Sequence, residues 1–76
     1  MKFYERGIMN EDSLNMEIRR FLKKVGITSQ REIEKEIYNA EKNGNLMKGD
    51  ELEIEMILNI NRLNVAYRIE GTIKIE

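Results

Sequence analysis

The sequence predicts an α+β fold: two helices packed on one face of a C-terminal antiparallel β-hairpin. Three observations carry that reading. Residues 52 to 75 alternate apolar and polar, with Leu52, Ile54, Met56, Leu58 and Ile60 followed by Leu63, Val65, Tyr67, Ile69, Ile73 and Ile75. Successive side chains on a strand face opposite sides, so both runs present one apolar face. Two segments with helical periodicity precede them. A hairpin alone is marginal in water, so its apolar face needs a cover, which those segments can supply.

Residues 1 to 9 fit neither period and read as a disordered or extension segment: Phe3, Tyr4 and Ile8 form no stripe, and Gly7 interrupts them. Residues 10 to 76 read as a single domain. Its first helix is expected over residues 12 to 25. Leu14, Ile18, Phe21, Leu22 and Val25 fall at i, i+4, i+7, i+8 and i+11. Glu11 and Asp12 open it, while Arg19, Arg20, Lys23 and Lys24 occupy its later turns, as the macrodipole favours. Gly26 then supplies a left-handed stop.

A second helix is expected over residues 29 to 43. Ser29-Gln30-Arg31-Glu32 matches a capping box, with Thr28 as a rival cap. Ile33, Ile37 and Ala40 make a narrow stripe, Tyr38 lies to one side, and Asn43-Gly44-Asn45 ends the helix. Leu46 and Met47 are expected to anchor the connection, and Gly49-Asp50 to turn the chain into the sheet.

The strands constrain each other. The first is apolar at even positions and the second at odd ones, so only an even loop puts both sets on one face. A two-residue loop at Asn61-Arg62 and a four-residue loop from Ile60 to Leu63 share one register; the longer is favoured because Asn-Arg is a weak turn dipeptide. That register pairs Leu58 with Val65, Met56 with Tyr67 and Glu55 with Arg68. It sets Glu53 against Glu70, and leaves Ile57 and Ala66 as an apolar spot on the wet face. Gly71 suggests a bulge or bend. Residues 72 to 76 then outrun the first strand, and Thr72, Ile73, Lys74 and Ile75 become the expected dimer edge.

Composition narrows function by exclusion. Seventy-six residues allow one small domain with a thin core. The chain has no Cys and no His, which removes disulfides, thiol and imidazole catalysis, and zinc or iron–sulfur sites. No cofactor or metal is expected. Small domains lacking such staples commonly gain stability from a partner subunit. A homodimer is therefore expected, with hairpins joined into a four-stranded sheet. A net charge of −1 with 36% charged residues describes a solvated surface rather than a nucleic-acid footprint. The longest apolar run is Met56-Ile57-Leu58, so no segment reads as membrane-spanning, and the N-terminus lacks a signal core. A cytoplasmic setting is expected.

Four features could carry chemistry. Arg19, Arg20 and Lys23 lie opposite the core stripe of the first helix, and with Met16 they read as a surface for phosphates or an acidic partner, or as a solvated face completing the dipole. Residues 15 to 43 read as helix, Gly-containing turn and helix, with the hairpin as a wing; Glu32, Glu34, Glu36 and Glu41 on the would-be reading helix oppose a polyanion groove. The acidic strand Asp50, Glu51, Glu53 and Glu55 reads either as a site for a hard cation or, as its water-facing carboxylates about 7 Å apart favour, as a solvated edge protected against pairing. Ser13, Thr28, Ser29 and Thr72 have no histidine base, so no catalytic residue is assigned and no enzyme is expected.

The stretch Met9-Asn10-Glu11-Asp12, then Asn15-Met16, then Arg20-Phe21-Leu22-Lys23-Lys24-Val25-Gly26-Ile27-Thr28-Ser29-Gln30-Arg31-Glu32-Ile33-Glu34 resembles a family of short bacterial proteins known only as a domain of unknown function. The resemblance covers residues 9 to 44 closely and the hairpin in pattern. It implies Met9 as the opening of the family's shared segment and a Gly in the hairpin loop, where this chain has Asn-Arg. It implies no activity, cofactor or catalytic residue. The function expected is that of a small non-catalytic interaction protein that self-associates. The alternative is a weak nucleic-acid-binding, helix-turn-helix or winged protein using the basic face of the first helix.

Overall fold

A computed structural model describes residues 10–76. The elements run α1 (Glu11–Lys42), β1 (Glu51–Ile60), a 3₁₀ turn (Asn61–Leu63) and β2 (Val65–Lys74). Two units divide the chain, Met1–Tyr38 and Asn39–Glu76. The expectations for Phe3, Tyr4, Ile8 and the rest of residues 1–9 lie outside the described residues.

One helix stands where two were expected. Gly26, Ile27, Thr28 and Ser29 all lie inside α1, and Gly26 is absent from the positive-φ residues. A glycine ends a helix only when it turns left-handed; kept in the helical region it costs about 1 kcal/mol relative to Ala. A stop here would leave unsatisfied backbone groups at two new termini and require a second nucleation, both more costly. The chain contains no Pro to force one. Ser29 is therefore no cap, and Gln30 instead donates to the Glu34 carboxylate at 3.1 Å. The apolar stripe keeps phase across the join, from Leu22 and Val25 to Ile33 and Ile37.

Both helix ends are closed by their own sequence. The Asn10 side-chain oxygen accepts the Ser13 N–H at 3.0 Å, and its carbonyl accepts Leu14 N–H at 2.9 Å. At the other end Gly44 takes φ 79. Asn45 N–H then reaches the Ala40 carbonyl at 2.9 Å, and Gly44 N–H the Glu41 carbonyl at 3.1 Å. These two bonds form a Schellman cap. Leu46 follows directly and is 8% exposed, the one buried side chain among the described residues. Met47, its expected companion, is exposed.

Met47 to Asp50 form a tight turn: Asp50 N–H donates to the Met47 carbonyl at 3.0 Å, and the Asp50 carboxylate accepts Met47 N–H at 2.9 Å. Gly49 takes φ 98, a conformation that a side chain disfavours. The hairpin that follows is antiparallel and two-stranded. Its loop has the expected four residues, but they are Asn61 to Asn64, so the register differs by two from the one expected. Ile60 pairs with Val65, Leu58 with Tyr67, Met56 with Ile69 and Leu52 with Ile73. A two-residue slip keeps every side chain on its face. What separates the registers is the left-handed position at the loop's end. It falls on Asn64 at φ 55, and Asn tolerates it better than Leu63 would.

The shift corrects three further expectations. Glu55 lies opposite Glu70, Glu53 opposite Thr72, and Ile57 opposite Arg68 rather than Ala66. Gly71 pairs with Ile54 in an unbroken ladder, with no bulge. Residues 72 to 74 do not overhang: they pair with Glu53, Leu52 and Glu51, and Ile75 exchanges backbone hydrogen bonds with Asp50 (2.8 Å) and Gly49 (2.7 Å). The apolar face has a covered and an open end. Leu52, Ile54, Ile73 and Ile75 are half-buried, whereas Leu58 and Val65 near the loop remain 37% and 38% exposed.

Candidate functional site

Met16, Arg19, Arg20 and Lys23 lie within two turns of α1 and are all exposed. At 3.6 residues per turn they occupy the side away from Ile18 and Leu22. Arg20 donates to the Glu17 carboxylate at 2.8 Å, with both side chains about two-thirds exposed. Such a pair on a helix surface contributes roughly 0.2–0.5 kcal/mol. It neutralises one of the three cations, so Arg19 and Lys23 are the charges this face offers most freely.

Because α1 is continuous, this face extends further than the sequence suggested. Ile27 and Tyr38 follow Met16 at intervals of eleven residues, which is three helical turns, and so line up along one side. All three are open, at 61% for Met16, 52% for Ile27 and 63% for Tyr38. Reading two separate helices hid this line; the eleven-residue spacing was the signal for it. The same continuity removes the helix-turn-helix. Residues 25 to 28 form no turn, so no second helix is held at an angle to the first as groove reading requires.

On the polar side of the hairpin, Arg68 sits between two carboxylates, 3.5 Å from Glu55 and 3.2 Å from Glu70. The sequence paired Arg68 with Glu55 directly. In the structure Glu55 and Glu70 are opposite each other, and Arg68, one step away, relieves their repulsion. A shallow open cleft of about 540 Å³ adjoins them, lined by Glu53, Ile54, Glu55, Glu70, Gly71 and Thr72. Among the described residues no group of three carboxylates stands close enough to hold a metal ion. Asp50 of the acidic run is engaged in its own turn. Thr72, Ile73, Lys74 and Ile75 lie along β2 and its continuation, with β1 and its approach on one side of them. Among the described residues the other edge of β2 has no strand beside it. No described helix is long and apolar enough to cross a membrane.

A family model spans Met9 to the last residue of this helix–hairpin arrangement. The chain belongs to DUF6494, a family of unknown function, matched over residues 9–76. The DUF6494 match takes in α1, the Schellman turn and the whole hairpin, so the resemblance seen over residues 9 to 44 extends through both strands. No curated protein and no solved structure matches the chain.

Proposed function

We propose that this chain is a small, non-catalytic, self-associating interaction protein that works in the cytoplasm. The observation that carries the reading is the exposure of its apolar residues. Leu46 alone is buried among the described residues, while Met56, Leu58, Ile60, Val65 and Ile69 stand open on one face of the hairpin. Monomers that keep such patches commonly use them as interaction sites. In the proposed dimer the free edges of β2, through Thr72, Ile73, Lys74 and Ile75, pair across a two-fold axis. The two hairpins then make a four-stranded sheet. Met16, Arg19, Arg20 and Lys23, extended by Ile27 and Tyr38, form an exposed side of α1 that contacts a further protein.

Sedimentation at micromolar concentration tests the association. A mass twice 9.0 kDa is expected, and a species of 9.0 kDa at every concentration overturns the reading. The contact face is tested by the double variant Arg20→Glu, Lys23→Glu in a pull-down; retention of every partner reduces that face to a solvated surface. Nucleic-acid binding that weakens steeply between 50 and 200 mM salt, by roughly 40-fold for three phosphate contacts, would favour a phosphate-binding role for the same cations instead.

A further inference from the structure

We infer that the N-terminal half of α1 seats on an anionic lipid surface. The helix lies in the plane of that surface, with Leu14, Ile18, Phe21 and Leu22 turned into the acyl boundary and its cations at the headgroups. This goes beyond the self-association proposed above and does not depend on it.

The first support is where the charge sits. Between Glu17 and Glu32 the helix carries Arg19, Arg20, Lys23, Lys24 and Arg31 and no acidic residue. The whole chain has 13 basic and 14 acidic residues, so this run is a local excess and not a trait of the surface at large. All of these cations are exposed. Among the described residues only Arg20 of this group is in an ion pair, with Glu17.

The second support is their placement around the axis. The stripe from Phe21 round to Leu22 spans about 100°, the width of an amphipathic face. Arg19 and Lys24 stand about 110° from its middle, one on each side, and Arg20, Lys23 and Arg31 lie further round. Cations on both flanks match a flat anionic plane, because long basic side chains reach back along the apolar face to the headgroups. Those further round stay within about 10 Å of the plane, a helix diameter, and so within reach of its potential. Met16 and Ile27 face away from it and remain available to a protein.

The third support is that the same stretch is the open part of the stripe. Leu14, Ile18, Phe21 and Leu22 are 41% to 56% exposed, whereas Val25, Ser29, Ile33, Ile37 and Ala40 further along are half-buried. Past Arg31, Glu32 and Glu36 fall in line with Leu14 and Ile18, about five turns on, where an anionic surface repels them. Exposure, apolarity and positive charge thus end together. A nucleic acid would engage the cations but leave Phe21 and Leu22 in water.

Co-sedimentation of the full chain with vesicles tests this. Binding is expected to phosphatidylcholine vesicles containing about a third phosphatidylserine, and at least about tenfold less to phosphatidylcholine alone. Each cation held near such a surface raises partitioning about fivefold, so Arg19→Gln with Lys24→Gln is expected to weaken binding about 25-fold. Phe21→Gln is expected to weaken it at least about tenfold. Lys48→Gln with Arg62→Gln removes the same charge outside α1 and is expected to change binding by less than about threefold. Helical circular dichroism should be the same in all these variants, since every residue changed is exposed. Equal binding to both vesicles overturns the inference. So does an equal loss from the Lys48 and Arg62 pair, which makes the effect one of net charge, or full binding by Phe21→Gln, which leaves the stripe unused. Retention on immobilised poly-glutamate without vesicle binding also overturns it and assigns the cations to an acidic protein.

Discussion

One substitution made at two glycines should move stability in opposite directions. Gly26 lies in the helical region in the middle of α1, and an added Cβ meets nothing within 4 Å. Gly26→Ala therefore removes the glycine penalty with no steric offset, and should stabilise the fold by about 0.8–1 kcal/mol. Gly44 holds φ 79 at the helix C-terminus, and an added Cβ there is equally unobstructed. Its cost is purely one of backbone conformation, and Gly44→Ala should destabilise by about 1–2 kcal/mol. The two variants should thus differ by about 2–3 kcal/mol although both replace a hydrogen with a methyl group. Urea unfolding followed at 222 nm, on protein dilute enough that association does not contribute, measures both. Wild type should fall between the variants, with unchanged slope. If Gly26→Ala instead loses stability as Gly44→Ala does, Gly26 is a left-handed stop and α1 is two helices.

Leu46→Ala should cost about 2–5 kcal/mol, as truncation of a buried Leu does, whereas Leu63→Ala in the exposed loop should stay within about 0.5 kcal/mol; chemical denaturation separates them. Asn10→Ala should cost about 1 kcal/mol and show first as faster amide exchange at Ser13, whose N–H it leaves unpaired. Asn64→Gly should be near neutral and Asn64→Val destabilising by about 1–2 kcal/mol in thermal unfolding, because a β-branched residue resists φ 55.

Most of the hairpin was legible before any coordinates. A period of two leaves no ambiguity about which side chains share a face, and opposite parity in the two runs demands an even loop. Which even register forms was not legible from alternation, since both satisfy it equally. The deciding clue was local: Asn64, a residue that accepts a left-handed backbone, stands one place beyond Leu63. In α1 Gly26 favours a stop by residue type alone, but the phase of the stripe around it carries the helix through. Val25, Ser29, Ile33 and Ile37 continue at four-residue steps, which a break would not preserve. Of the site residues, Met16, Arg19, Arg20 and Lys23 lie within about two turns of α1 and are exposed. Their alignment with Ile27 and Tyr38 follows only from an unbroken helix.

By itself the amino-acid order settled the period of each segment, the two ends of the helical region and the sharing of one apolar face by the strands. Each of these depends on residues within a few positions of one another. Only the folded chain decided that Ile75 bonds to Asp50 and Gly49, that Arg68 bridges Glu55 and Glu70, and that Leu46 alone is buried among the described residues. Those outcomes join groups distant in sequence, and their energies exist only once the chain has closed the loop between them.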